Sequence, residues 1–327
     1  MNPQGRVTGA ALTSYKASPF SSVREPGLAE TAPAGAGADG QGPPGAVSVR
    51  VYLPAPPLRA YVTFYYFVEA FGPLTDFLYP EWGNVRLAIT GDWTVVNDPR
   101  DGASRHNRTL FGPTDRCGQI VTGGGKTVGF GLTPLGWNRL IGSDAGAMAN
   151  RVREIDAELG VDLAQLQAEF CADGDDDATG VARFDAALLG RLETSAPNPP
   201  LVLATDRVLR GRPADVPTFA AEVGVAPRTL HRLCLRAFGF PPKRLLRRQR
   251  FLETLGVIRV TPEATFGALL SEDYHDQSHF NRDFRDFMGM TARDYARTPR
   301  ALMQAAAMAQ MQMHIPLSFA LPEPPAD

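Results

Sequence analysis

The stretch Phe219–Gly239, FAAEVGVAPRTLHRLCLRAFG, constrains this chain more than any other. Phe219, Ala220 and Val223 give one short helical face, and Gly224 stands where a helix end needs a residue free to take positive φ. Val225 plugs the turn. Pro227 opens a second helix at the position that tolerates a missing N–H. Leu230, Leu233, Cys234 and Phe238 then recur at helical spacing and are expected in the core. Arg228, Thr229, His231, Arg232 and Arg236 are left on the outer side. An exposed helix start bearing arginines and short polar groups suits the reading of base edges in a major groove.

A second copy follows about fifty residues later, in Thr265–Met290, TFGALLSEDYHDQSHFNRDFRDFMGM. Tyr274 is its turn plug and Asp276 its expected N-cap. Phe280, Phe284 and Phe287 form the apolar stripe, and Gly289 follows the last turn. Gln277, Ser278, His279, Asn281, Arg282 and Arg285 point outward. Two such units joined by one long helix are a far more specific signal than either alone.

Residues from about 200 to 300 resemble the paired DNA-binding domain of AraC/XylS-type transcription regulators. The residues that carry the likeness are Ala220, Gly224, Leu230, Arg232, Phe238, Gly239, Pro242 and Arg250 in the first half. In the second they are Tyr274, Asp276 to Phe280, Arg282, Phe284, Gly289, Met290, Thr291 and Tyr295. The resemblance implies two recognition helices, beginning near Pro227 and Gln277, in successive major-groove faces. Base-edge contacts would fall to Arg228, His231, Arg232, Gln277, Ser278, Asn281 and Arg282, with His279 and Arg285 better suited to phosphates. The chain departs from the family pattern at Asp273, Leu269 and Ala292, where Gly, a small residue and Pro are usual. Ala226 replaces the common Ser N-cap, removing about 1 kcal/mol of cap stabilisation. These departures predict a second reader held less firmly than the first.

Charge distribution supports a nucleic-acid partner where net charge does not. The 327 residues carry a formal charge of only −2. Yet residues 201–300 hold 17 Lys/Arg against 11 Asp/Glu, whereas residues 1–200 hold 16 against 22. A basic module on an acidic one fits a DNA-binding domain beside a sensing domain. In the run KRLLRRQR, 243–250, Leu245, Leu246 and Phe251 are expected to pack inward and the cations to face solvent or DNA.

The rest of the chain reads in blocks. Residues 1–46 are rich in Ala, Gly, Pro and Ser and read as a disordered leader. From 47 to about 135 the reading is β: AYVTFYYFVEA, NVRLAIT, WTVVN, QIVTG and KTVGFGL are short runs split by Gly, Asp and Pro turns. They suggest a sandwich or barrel, and PEWG followed by GLTPLGW is similar to the cupin-like sensing barrel of some AraC-type regulators. Helices follow around Trp137–Ile141, Asp162–Phe170 and Val181–Leu192, which in that family often mediate dimerisation. SAPNPP at 195–200 is a Pro-rich boundary. Residues 301–327 read as an Ala/Met-rich helix of loose packing, then disorder. The expected fold is α+β and multi-domain: a β-rich domain with trailing helices over 47–195, then an all-α double helix-turn-helix over 200–300.

Other chemistries find little support. GGGKT lacks the leading Gly of a phosphate loop, since that position is Ile120, and a Gly-rich hairpin is expected instead. His275 and His279 stand four apart, but Asp276 replaces the Glu a zinc peptidase needs. The β region holds one histidine, His106, too few for a metal-binding barrel enzyme. Cys117, Cys171 and Cys234 follow no ligand or disulfide spacing. No apolar run approaches the ~18 residues of a membrane helix, no signal peptide is recognisable, and a cytoplasmic location is expected. No catalytic residue, metal ligand or cofactor is assigned. Expected partners are double-stranded DNA, RNA polymerase, a small-molecule effector and a second copy of the chain. Competing readings are an enzyme in the β-rich domain with the C-terminal domain as a DNA tether, and a protein-interaction module.

Overall fold

The computed structural model describes residues 45–96, 103–155, 159–172, 176–260, 277–318 and 321. The leader up to residue 44 lies outside them. So do Thr265, Leu269, Asp273, Tyr274, His275 and Asp276, and with them the expected turn plug and N-cap of the second unit. Elements are numbered over the described residues.

Among the described residues, nine antiparallel strands form two sheets. The larger runs β1 (Val47–Tyr52), β2 (Val62–Ala70), β8 (Gly125–Leu132), β4 (Asn84–Ala88), β6 (Arg108–Phe111) and β9 (Val152–Glu154). The smaller runs β3 (Leu74–Leu78), β7 (Gly118–Thr122) and β5 (Trp93–Val96). Sequence signals located β2, β4, β5, β7 and β8. The GGGKT segment is not a hairpin: β7 pairs with β3 and β5, whereas β8 pairs with β2 and β4. The chain changes sheet at Gly123–Gly125. A Cβ on Gly125, which takes φ +131°, would lie 2.2 Å from the Thr90 carbonyl oxygen, so only glycine passes there. A strand follows the glycines, so no helix N-terminus is present to cradle phosphate.

The larger sheet is covered on both faces, which explains why β2 is apolar on both. Tyr65, Phe67, Leu87 and Phe130 pack with Phe170 of α1 (Leu163–Ala172) and with Phe184 and Leu188 of α2 (Asp177–Thr194). Tyr65 and Phe184 stack with centroids 5.1 Å apart. Tyr66, Val68 and Phe111 face the other way, onto Leu74, Trp93, Val95 and Ile120 of the smaller sheet. Arg86 of β4 is therefore buried rather than solvated, its guanidinium 4.8 Å from the Phe111 ring centroid.

The helical part begins at Pro200 with α3 (Pro200–Arg210), then α4 (Val216–Val223), α5 (Pro227–Phe238) and the long α6 (Pro242–Ile258). After the undescribed stretch come α7 (Gln277–Met288), α8 (Ala292–Arg297) and α9 (Ala301–Gln312). The C-terminal helix is more firmly placed than its composition predicts. It packs on β1, and Asp76 of β3, 1% exposed, accepts hydrogen bonds from the Leu302 and Met303 amides at 2.7 and 3.1 Å. A carboxylate on the first orphan N–H groups is an N-cap supplied from another element. Among the described residues, no helix is long and apolar enough to cross a membrane.

Candidate nucleic-acid interface

Local chemistry builds the first helix pair. Asp215 caps α4 by accepting from the Thr218 amide at 2.8 Å, and Gly224 closes it at φ +77°. Val225 is half-buried against the core of α3, α4 and α5. Ala226 precedes Pro227 in extended conformation and makes no side-chain cap. Leu230, Cys234 and Phe238 are buried; Leu233 is half-buried. Burial pushes the Cys234 thiol up to about 12, which leaves it a small apolar group with no nucleophilic role.

On the outer side of α5, Arg228, His231, Arg232 and Arg236 are exposed and Thr229 is half-buried. Among the described residues these arginines enter no ion pair. Ala226, Arg228, Thr229, His231 and Arg232 line an open cavity of about 420 Å³ at the helix start. The first turn of α5 holds no acidic residue and its last turn carries Arg236. Its positive end is therefore open to an anion.

Helix α7 repeats the arrangement. Phe280, Phe284 and Phe287 are buried against α6, with Phe251 stacked on Phe287 at 4.7 Å between centroids. Gln277, Ser278, Arg282 and Arg285 are exposed; His279 and Asn281 are half-buried. Gly289 ends the helix at φ +70°. Ala292, where a proline is usual, is compensated by Thr291, whose hydroxyl accepts from the Asp294 amide at 3.0 Å.

The arginines of α6 behave differently from expectation. Leu245 and Phe251 are buried as read, but of the cations between them Arg247 and Arg250 pair with acids and Arg248 is buried. Arg247 donates to Asp283 at 2.6 Å and to Asp286 at 2.9 Å. Arg244 pairs with Asp286 and, at 2.6 Å, with Asp115 of the loop after β6. Asp283, 1% exposed at its side chain, also has Arg250 at 3.6 Å and His279 at 3.9 Å. Arg248 is fully buried over the Trp82 ring, 3.9 Å from its centroid, and donates to the Thr114 carbonyl at 2.8 Å. The run 243–250 is thus largely an internal clamp, not a phosphate patch.

Sequence reasoning missed Asp283 and Asp286. They stand three apart on α7, as Arg244 and Arg247 do on α6, and crossing helices match the two spacings. Among the described residues no group of three or more His, Cys, Asp or Glu is placed to hold a metal.

Residues 219–298 match the family model described as a helix-turn-helix domain. No curated protein sequence matches the chain. Among solved structures, ToxT from Vibrio cholerae is 10% identical with a TM-score of 0.43, over 77% of this chain and 98% of that one. A fatty acid-bound form of wild-type ToxT from Vibrio cholerae is 8% identical at TM-score 0.39, over 76% and 94% of the two chains. The AraC-like transcriptional activator CuxR is 14% identical at TM-score 0.24, over 64% and 86%. With TM-scores under 0.5 these overlaps assign neither ligand nor activity to the present chain.

Proposed function

We infer that this chain, whose C-terminal part is an AraC-type helix-turn-helix domain, is a sequence-specific DNA-binding transcription regulator that reads two neighbouring major-groove segments with α5 and α7. The observation that carries the reading is the contrast between two sets of arginines. On α6, Arg244, Arg247 and Arg250 are engaged by Asp115, Asp283 and Asp286, and Arg248 is buried over Trp82. Arg228, Arg232, Arg236, Arg282 and Arg285, on the two short helices, stay exposed. Leaving guanidinium groups in water along two short helices, while acids or burial hold the arginines of α6, suits recognition of guanine edges and phosphates.

In this reading Arg228, Thr229, His231 and Arg232 meet the first base block and Gln277, Ser278, Asn281 and Arg282 the second. Arg236, His279 and Arg285 serve the backbone. The division of labour runs at 195–200, with residues 47–195 as the sensing or self-associating part. A small-molecule effector, a second copy of the chain and RNA polymerase are its further partners, and the cytoplasm its place. The reading assigns no enzymatic step.

A salt-titrated mobility-shift assay on the full chain tests it. Several phosphate contacts give a log–log slope of about −0.9 per phosphate neutralised on B-form DNA. A steep slope that Arg285→Ala makes shallower by about one unit is expected. A flat slope, or an unchanged one in the variant, contradicts the assignment.

A further inference from the structure

Both proposed reading helices are tied at their C-terminal ends to the β-rich part. The Ala145 amide donates to the Arg236 carbonyl at 2.9 Å, and the Asn138 side-chain amide donates to the Ala237 carbonyl at 2.8 Å. On the second helix, the Cys117 amide donates to the Phe287 carbonyl at 2.7 Å. The last carbonyls of a helix have no partner inside it, so each end takes a donor from outside. Here every one of these donors belongs to residues 117–145. The N-terminal ends, with Arg228 and Gln277, stay exposed.

One loop, Pro113–Cys117, touches all three helices of the reading unit. Pro113 lies against Gly239 at the end of α5, where an added Cβ would be 2.5 Å from its Cγ. The Thr114 carbonyl accepts from Arg248 of α6. Asp115 accepts from Arg244 Nε at 2.6 Å, its backbone carbonyl from Arg244 Nη2 at 3.0 Å, and the same guanidinium reaches Asp286 of α7. Cys117 then caps α7 itself. Asp115 is rigidly seated in turn: its carboxylate accepts from Asn150 Nδ2 at 2.8 Å and its amide donates to Asn150 Oδ1 at 3.0 Å.

We propose that the Pro113–Cys117 loop is a jig that sets the separation and angle between α5 and α7, so that Asp115 and Arg244 are positioning residues for operator spacing. The β-rich part then determines which distance between base blocks the protein accepts. A helix pair joined by α6 alone can pivot wherever α6 meets α5 and α7. A pair pinned at both C-terminal ends to one body cannot. The proposal rests on the reading that these helices contact DNA, and it adds that their mutual placement is imposed from outside the helix-turn-helix domain.

The test uses the full chain and a duplex selected by the wild-type protein from a randomised 30-base-pair pool. The two base blocks are then moved by one, two and five base pairs. Each base pair adds about 3.4 Å and a tenth of a turn, so the wild type should lose at least tenfold affinity on a one-pair shift. Asp115→Asn and Arg244→Gln should bring the shifted duplexes to within about threefold of the original. Affinity for the first block alone should change less than twofold. Circular dichroism establishes that the variants are folded; if neither is, Arg244→Lys, which keeps the charge and loses the fork, supplies the same readout. Folded variants that retain the wild-type spacing ratio, or lose the isolated first block as well, overturn the proposal. A wild type that selects no two-block site overturns the DNA reading itself, and the two failures are distinguishable.

Discussion

Replacing Arg248 separates the contribution of its charge from that of its stem. The side chain is fully buried between Trp82 and the Thr114 carbonyl, and burial pushes the guanidinium down to about 9. That depression corresponds to roughly 4–5 kcal/mol of unfavourable charge burial at pH 7. Opposing it are a charge-assisted hydrogen bond of about 1.5–3 kcal/mol and a desolvated cation–π contact of about 2 kcal/mol. The two sides nearly cancel. Arg248→Met keeps a stem of similar volume, and should change stability by no more than about 1 kcal/mol. Arg248→Ala also removes some three methylenes, worth about 0.8 kcal/mol each before any cavity. It should fall about 2–4 kcal/mol below the Met variant. Urea unfolding at pH 7 measures both, provided the slopes agree. Equal losses in Met and Ala would refute the reasoning, because the cation's polar contacts would then dominate.

Two further outcomes follow from the same surroundings. Burial raises the Glu81 carboxyl to about 7, with Arg86, Asn84 and Arg248 pulling it down. The folded chain therefore holds this proton more tightly than the unfolded one, so the group's contribution falls as pH rises from about 4.5 to about 7. Glu81→Gln should gain stability over wild type between pH 5 and pH 8 by about 2–3 kcal/mol; a pH-independent difference between the two proteins would refute this. Ala226, in cap geometry without a cap bond, should accept Ser with a gain of about 1 kcal/mol, seen as a higher Tm. No gain would mean that the Ala226 carbonyl, which already accepts from the Thr229 amide at 2.9 Å, leaves a serine hydroxyl nothing to add.

How much of this was legible in the sequence depends on distance along the chain. Helix α4, Gly224 and α5 could be read because each signal sits within a few residues: a short apolar face, a positive-φ glycine, a proline at the first helical position. The aromatic strand β2 was legible as a strand, and its two-faced apolarity as core. Strand β3 was missed because its central residue is Asp76, and nothing local reveals that this carboxylate caps a helix more than two hundred residues onward. In β4 Val85 and Leu87 alternate with Arg86, a pattern that fits one solvated face, but both faces of that sheet are covered. The arginines of α6 look like a phosphate patch until α7 is laid across them. Their pairing with Asp283 and Asp286 depends on a helix crossing, which no local pattern encodes. The exposed residues of α5 and α7 fared better, since helical spacing fixes which side faces away from the core.

The most direct test of the account is a selection of randomised duplexes by the full chain, repeated with Arg232→Ala and with Arg282→Ala. The account predicts two preferred base blocks about one helical turn, ~34 Å, apart, with each variant relaxing preference at one position in its own block at a cost of ~1–3 kcal/mol. Recovery of no preferred sequence, or the same uniform loss on every duplex from both variants, would contradict it.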